Sequence, residues 1–418
     1  MDADAYAFFQ QYQDACLALL EDPKGSGQQF IVSQAGQSHV LKDALEASNF
    51  FAVWRKQLLP ANTSFPTLRH IFYLTYEAGT LFESLPQPKS APDGGLIWRH
   101  EPIWSICFDA DQGWIYLSST QSEAQLDILE QMLQSCSSAE YPSLKLAHQY
   151  IQEAVFDYKQ AVERVKAYIQ AGDIFQANIA RFWSMPFAQQ DALALYGKLR
   201  QVNPAPFSCF LHTEDLTIVS ASPERLFCID TQGFVSARPI AGTRKRSSGQ
   251  ADAALEDELL LSEKERAEHI MLVDLERNDL GRVCEPGSIE VDECMVIEKY
   301  ATVQHIVSNV RGKLAAGLDM LDVLAAKFPG GTITGCPKVR CMEIIHELEP
   351  QARGPYTGGV GYVAWDGSVD MNILIRTFWF AQDRLHWAAG AGIVADSVPA
   401  FEERETEHKV EGLLRAIR

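Results

Sequence analysis

Two pairs of glutamates have the spacing to do chemistry together. Glu265 and Glu268 stand three residues apart in Glu263-Lys-Glu-Arg-Ala-Glu-His269, and Glu402 and Glu405 repeat that spacing in Phe401-Glu-Glu-Arg-Glu-Thr-Glu-His-Lys409. Residues three apart share one face of a helix, so each pair turns two carboxylates the same way. If the two helices face each other, the four carboxylates make an oxygen-rich site suited to a hard cation such as Mg²⁺. The same spacing also fits two solvated helix faces, and spacing alone does not separate the two readings. The first pair has a further feature. Its charged approach runs into Ile270-Met-Leu-Val-Asp-Leu275, so the helix enters a core while its first turn faces something polar.

The rest of the chain must supply the scaffold. Its 418 residues suffice for two or three average domains or one large one. With 47% hydrophobic and 22% charged residues, the composition is that of an ordinary globular protein. No apolar run approaches about 18 residues, so no transmembrane helix is expected. The acidic Met1-Asp-Ala-Asp-Ala-Tyr6 lacks the basic stretch of a signal peptide. Nine cysteines without paired metal-type spacing read as reduced thiols, and the expectation is a cytoplasmic protein. A net charge of −19 argues against a nucleic-acid partner. It also requires that an anionic substrate be held by local Arg, Lys, backbone N–H groups or a metal.

The first 20 residues predict an amphipathic helix through Phe8, Phe9, Tyr12, Cys16, Leu19 and Leu20. Further helices are expected at 41–58, 121–135, 150–170, 191–202, 250–276, 318–327 and 399–417. Strands are expected at 30–33, 70–76, 104–108, 114–118, 207–212, 216–221, 225–229, 234–238, 283–298, 303–308, 359–365, 368–380 and 385–394, with a hairpin turn at Asp366-Gly367. Ser137-Ser-Ala-Glu-Tyr-Pro-Ser143 is polar and helix-breaking, a candidate boundary. Helices and strands mix without βαβ alternation and the clear connections are hairpins, which favours an α+β class with antiparallel sheets.

Four blocks together resemble the chorismate-using synthases, among them anthranilate synthase component I and aminodeoxychorismate synthase component I. They are Ser222-Pro-Glu-Arg-Leu-Phe227 with Arg238-Pro-Ile-Ala-Gly-Thr243; Glu265 through Asp279; Phe328-Pro-Gly-Gly-Thr-Ile-Thr-Gly-Cys-Pro-Lys-Val-Arg340; and Gly390-Ala-Gly-Ile-Val-Ala-Asp-Ser397 with Glu402 to Lys409. The resemblance is dense over 145–418 and thin before it, mainly Tyr73 to Glu83. It implies a two-part sandwich of antiparallel sheets with outer helices. A shortened N-terminal subdomain (1–140) and a chorismate-binding catalytic domain (141–418) would interleave into one large fold. The chemistry it implies is amination of chorismate, in which ammonia adds to the ring and the C4 hydroxyl departs. Hydroxide leaves poorly, so a general acid and stabilisation of the ring carboxylate are needed.

By motif position, the resemblance makes Glu268 and Glu405 direct Mg²⁺ ligands, with Glu265 and Glu402 acting through metal-bound water. Glu224 resembles the family's general acid/base, and His305 the histidine near the departing hydroxyl. Thr332, Tyr356, Arg376, Lys409 and the backbone of Gly390, Ala391 and Gly392 match substrate-binding positions. Lys338 is either structural or a substrate neighbour. Away from the resemblance, Glu224 reads as a surface strand-end glutamate, His305 as a hydrogen-bonded core histidine, and Arg376 as an inward charge that is costly without a partner.

Departures from the pattern bear on which member this is. Many aminodeoxychorismate synthases carry a nucleophilic lysine in Pro-Ile-x-Gly-Thr, where this chain has Ala241, so no covalent adduct forms there. Ala is usual in anthranilate synthases. Against that, Phe-Pro-Gly-Gly-Thr-Ile-Thr-Gly is closer to the aminodeoxychorismate form than to Pro-Ala-Gly-Thr, and the N-terminal region is short. The sequence reading also finds no good copy of the Leu-Leu-Glu-Ser segment with which anthranilate synthases bind tryptophan. The expectation is therefore an aminodeoxychorismate synthase component I, with anthranilate synthase as the alternative and a chorismate-binding regulatory homologue as the non-enzyme one. Relatives that add water use a lysine where this chain has Gln176, and an amide is no such base. No glutaminase elbow such as Gly-x-Cys-x-Gly is present, so the ammonia is expected from a separate glutamine amidotransferase subunit in a heterodimer.

Overall fold

A computed structural model describes residues 4–58, 66–141, 151–245, 261–299 and 303–418. Two sheets face each other, and every strand pairing among the described residues is antiparallel. The first, of eleven strands, has Gln176–Pro186, Arg384–Ile393, Thr377–Ala381, Thr217–Ser222 and Phe207–His212 as successive neighbours. It continues through Cys16–Glu21, Gln28–Ser33, Trp104–Asp109 and Trp114–Ser119. The second, of ten strands, runs from Ile240–Lys245 through Val303–Lys313, Phe234–Ala237, Arg225–Ile229, Val369–Asn372 and Gly359–Ala364. Leu68–Leu74, Ile97–Pro102 and Gly36–Leu41 complete it. Strands from the first 120 residues thus extend both sheets. Leu17, Phe30, Ile71, Tyr73, Trp98 and Leu211 form part of the apolar layer shared by the two sheets, while helices cover the outer faces.

The α+β class and the antiparallel hairpins are as expected, and four local readings are corrected. The amphipathic helix at the N-terminus stops at Gln11, and Cys16–Glu21 is a strand. Its near-continuous burial between two neighbouring strands suits an apolar run as well as a helix does. Val40 and Leu41 belong to a strand paired with Ile97 and Trp98, so the helix expected from 41 begins at Ala47. The helix expected from 150 starts at Tyr158, where the Asp157 carboxylate accepts the Gln160 N–H at 3.0 Å. Ile151 and Val155 lie before that cap and are exposed. Residues 368–380 are two strands rather than one: Val369–Asn372 lies in the second sheet and Thr377–Ala381 in the first. The expected 250–276 helix is described as Glu263–Gly281, its first thirteen positions up to 262 lying mostly outside the described residues.

Candidate active site

The site is built where the chain passes between the sheets. Thr217–Ser222 ends in the first sheet, Arg225–Ile229 begins in the second, and Glu224 sits on the crossover between them. The link from Asn372 to Thr377 crosses back and carries Arg376. The two crossovers hold each other. The Ile373 N–H donates to the Glu224 carbonyl at 3.0 Å, and the Ala221 N–H donates to the Arg376 carbonyl at 3.1 Å. The Ser222 hydroxyl donates to the Ile373 carbonyl at 2.5 Å. Arg376 has φ +50°, a left-handed conformation that costs a non-glycine residue energy and redirects the strand. Two opposite charges are thereby fixed between the sheets.

Glu224 is buried, and burial raises its carboxyl above the usual range. A hydrogen bond from Thr332 Oγ1 at 2.7 Å and the positive charges of Lys409, Arg376 and Lys327 pull it back down. Such a group is poised to hold or release a proton. Burial lowers the Arg376 guanidinium, with the charge of Glu224 opposing. Among the described residues that guanidinium makes no hydrogen bond or ion pair. His305 is buried, its Nδ1 3.3 Å from the Gly242 carbonyl oxygen. Burial and then the charge of Arg376 bring it down to about 4, so it is neutral at pH 7.

Gly390, Ala391 and Gly392 lie in a strand paired on one side with Ala180, Ile179 and Asn178. The Ala180 N–H points away from that pairing, to Glu349 at 2.9 Å, and the Asn178 N–H points away to the Thr334 carbonyl at 2.8 Å. By the alternation of an antiparallel ladder, Gly390 and Gly392 then face the open edge, while Ala391 turns its peptide groups to Ile179. Lys409 Nζ donates to the Gly390 carbonyl at 3.0 Å, and the Gly390 N–H donates to the buried Tyr356 hydroxyl, whose pKa burial raises. The open edge beside Tyr356 and Lys409 is thus glycine backbone, whereas the Ala391 methyl is in the core.

Glu265 and Glu268 sit on the helix Glu263–Gly281, capped by the Ser262 hydroxyl, which accepts the Glu265 N–H at 3.3 Å. Glu402 and Glu405 sit on the final helix, Pro399–Ala416. Glu268 borders a cavity of about 380 Å³ together with Phe175 and the Val394–Asp396 turn that leads into that final helix. Glu402 is buried; Glu405 is half exposed and ion-paired to Lys409 at 2.8 Å. By donor chemistry these carboxylates fit Mg²⁺, which keeps several waters and needs one or two protein carboxylates plus a substrate oxygen. They do not build a centre closed by protein alone: among the described residues no three acidic, His or Cys side chains gather as a metal-binding group.

Lys338, left open by sequence, is structural. Its buried ammonium donates to Asp279 Oδ2 at 2.9 Å and to the Lys327 and Ala326 carbonyls at 3.1 and 3.2 Å. Two residues, Lys327 and Tyr158, were not among the expected site residues. Lys327 is buried and ion-paired with Glu276. Tyr158 has a buried hydroxyl without a hydrogen-bond partner among the described residues, and its pKa is raised by burial and by the charges of Glu402 and Glu405. Gln176 has its side-chain amide nitrogen where a Cβ on Gly392 would stand. A lysine ending a helix whose other residues, Asp322 apart, are apolar was the one signal available for Lys327. A second cavity, of about 470 Å³, includes Leu20, Glu21, Asp22, Phe207 and the ion-paired Arg225 and Asp370 in its wall. Leu19-Leu-Glu-Asp22 differs from Leu-Leu-Glu-Ser only at its last position, a copy that the sequence reading missed.

The chorismate binding enzyme family matches residues 8–415. The chain belongs to that family. Among curated proteins it is 44% identical over 355 residues to an "Anthranilate synthase component I-like protein" of a Synechocystis species, covering 82% of this chain and 72% of that one. It is 49% identical over 262 residues to "Aminodeoxychorismate synthase component 1" of Bacillus subtilis, covering 62% of this chain and 55% of that one. The aligned stretch thus spans about half of the Bacillus protein. Among solved structures, anthranilate synthase component I from Streptococcus pneumoniae superposes with a TM-score of 0.84 at 28% identity, covering 94% of this chain and 92% of that one. The chorismate-binding family therefore stands on both sequence and fold, while its relatives carry two different synthase names. Among the described residues no helix is long and apolar enough to cross a membrane.

Proposed function

We propose that the protein is an aminodeoxychorismate synthase component I, converting chorismate and ammonia to 4-amino-4-deoxychorismate. The observation that carries this reading is the pair of inter-sheet crossovers. They put a buried, protonatable Glu224 beside Arg376, whose guanidinium makes no hydrogen bond or ion pair among the described residues, and against Thr332 of the Phe328-Pro-Gly-Gly-Thr-Ile-Thr-Gly loop. A guanidinium with free donors suits a carboxylate, and Gly390 and Gly392 let backbone approach the ligand at the open strand edge. Glu224 gives its proton to the departing C4 hydroxyl, which leaves as water, with neutral His305 beside it as a hydrogen-bonding group. One ammonia adds at C2 as that hydroxyl leaves; a second adds at C4 and expels the first. This route asks no nucleophile of position 241.

Glu268 and Glu405 would hold Mg²⁺ directly, and Glu265 and Glu402 through water. When bound, the ion supplies Lewis-acid stabilisation of the ring carboxylate. With no glutaminase elbow in the sequence, ammonia would come from a glutamine amidotransferase partner, and the "component 1" in the Bacillus relative's name supports a two-subunit enzyme.

A second reading, anthranilate synthase component I, is favoured by Ala241 and by Leu20, Glu21 and Asp22 in the second cavity wall. Incubating the purified chain with chorismate and ammonium, with and without Mg²⁺, and resolving products by chromatography and mass separates the readings. The expected product is 4-amino-4-deoxychorismate, formed only with Mg²⁺ and not with glutamine as sole nitrogen source. Anthranilate plus pyruvate would overturn the first reading in favour of the second.

A further inference from the structure

Behind Glu224 lie two buried lysines that the proposed reaction does not use. Lys327 is the last residue of the helix Met320–Lys327 and is 1% exposed; its ammonium hydrogen-bonds Glu276 Oε2. Lys338 opens the helix Lys338–Leu348 and donates to Asp279 Oδ2 at 2.9 Å. Both acceptors sit three residues apart on one face of Glu263–Gly281, the helix that carries Glu265 and Glu268. Between the lysines runs the loop of Gly330, Gly331 and Thr332, whose hydroxyl holds Glu224 at 2.7 Å. Lys338 also donates to the Lys327 carbonyl at 3.1 Å, so both ends of the loop are tied to each other and to one helix. The fit is close: a Cβ on Gly331 would run into Leu275 of that same helix.

We propose that Lys327 and Glu276 are positioning residues for the amination, a buried ion pair that presses the Thr332 loop against Glu224 and ties it to the carboxylate helix. A buried ammonium is expensive to keep, and breaking one partner of such a pair leaves an uncompensated charge. An apolar side chain would pack the end of this helix at less cost, and the two pairs differ in what they face. Lys338 spends its three donors on Asp279, Ala326 and Lys327. Lys327 also acts on Glu224 through its charge. The charged and titratable groups around Glu224 are Lys409 from the final helix, Arg376 from the second crossover, Lys327, and the Tyr356 phenol. Those around Lys327 are Glu276, Lys338 and Glu224. Lys327 is the cation among these that reaches Glu224 from the side of the carboxylate helix. Movement of that helix is therefore felt at Glu224 both through the loop and through charge.

This inference rests on the reading of Glu224 as the acid, and the experiment separates the two. The pH dependence of kcat/KM for chorismate with ammonium and Mg²⁺ is measured on the full chain and on variants, with melting temperature in parallel. Glu224→Gln comes first: a limb that survives it sinks the assignment of Glu224, whatever the lysine does. If that limb disappears, Lys327→Met is expected to move it to higher pH by about one unit, because a nearby positive charge is lost. Lys327→Arg keeps the charge and is expected to restore the limb. Lys338→Met is expected to lower the melting temperature and leave the limb in place. A Lys327→Met enzyme that melts lower with its limb unmoved shows a purely structural lysine and overturns the proposal. Should that variant fail to fold, Glu276→Gln decides. Its limb moves down if Lys327 keeps its proton and up if it gives the proton away, and an unmoved limb overturns the proposal.

Discussion

Gly390→Ala tests whether the open strand edge is a built surface. Gly390 is not in the left-handed region, so the substitution meets no backbone strain and its effect is steric. The new Cβ would stand 2.8 Å from the Ile179 carbonyl oxygen and 3.1 Å from the Tyr356 hydroxyl, and nearer still to Asn178 Oδ1. The Ile179 carbonyl is backbone in a strand paired along its length with Arg384–Ile393 and has no rotamer to yield with. Restoring ordinary contact requires the strand to shift by roughly 0.6 Å. Overpacking of that kind costs about 1–3 kcal/mol. For 418 residues, an unfolding entropy of about 2.1 cal/mol/K per residue makes that a fall of about 1–3 °C in melting temperature. Function suffers more. The shift carries the Gly390 carbonyl away from Lys409 and its N–H from Tyr356, and a misplacement of about 1 Å near reacting groups costs about 100-fold. The expected loss in kcat/KM for chorismate is therefore about 10- to 100-fold, measured by steady-state product formation. Gly392→Ala is the control: its Cβ meets the far end of the Gln176 side chain, which swings aside, so the loss there is under about 1 kcal/mol. A Gly390→Ala enzyme with unchanged melting and kinetics would refute the reasoning.

Arg376→Lys keeps the charge but loses the fork, and is expected to cost about 1.5–3 kcal/mol of transition-state binding, about 10- to 100-fold in kcat/KM, with little change in melting. A variant with wild-type kinetics would remove Arg376 from substrate binding. His305 is brought down to about 4 in the folded chain against an ordinary value near 6.5, so its contribution to stability is full above about 6.5 and is lost as pH falls through about 4. His305→Asn is expected to flatten the decline of stability between those values by up to about 3 kcal/mol, read from denaturant melts at several pH values; an unchanged slope would contradict the burial argument. A dicarboxylate entering among Arg376 and Lys409 cancels part of the pull they exert on Glu224. The limb in kcat, which reports the complex, should therefore lie above the limb in kcat/KM, which reports the free enzyme. Coincident limbs would place the substrate charge elsewhere.

What the sequence revealed and what it hid divide along one physical line. Hairpins whose strands alternate or turn at a local signal were legible, Trp104–Asp109 with Trp114–Ser119 above all, because register and turn are written within a few residues. Strands whose identity depends on distant partners were not. Cys16–Glu21 carries an apolar run that serves a helix equally well, and it is a strand because Phe207–His212 and Gln28–Ser33 flank it. The same holds within the site. Four blocks of residues far apart in the chain pointed to the candidate acids and to Lys409, since each block is a local pattern, whereas His305 lies outside all four. The break between Asn372 and Thr377 was hidden inside a stretch that reads as one continuous strand, and its consequence was hidden with it. Ile373-Leu-Ile-Arg376 leaves one sheet for the other, and only that crossing turns Arg376 from an inward charge on a strand into a guanidinium facing Glu224. The Lys327–Glu276 pair was out of reach for a related reason: its partners are 51 residues apart on helices whose packing no local spacing records. The chemistry of this fold is carried by residues at crossings and helix ends, where the chain changes layer, and a periodicity argument is weakest at those places because the period ends there.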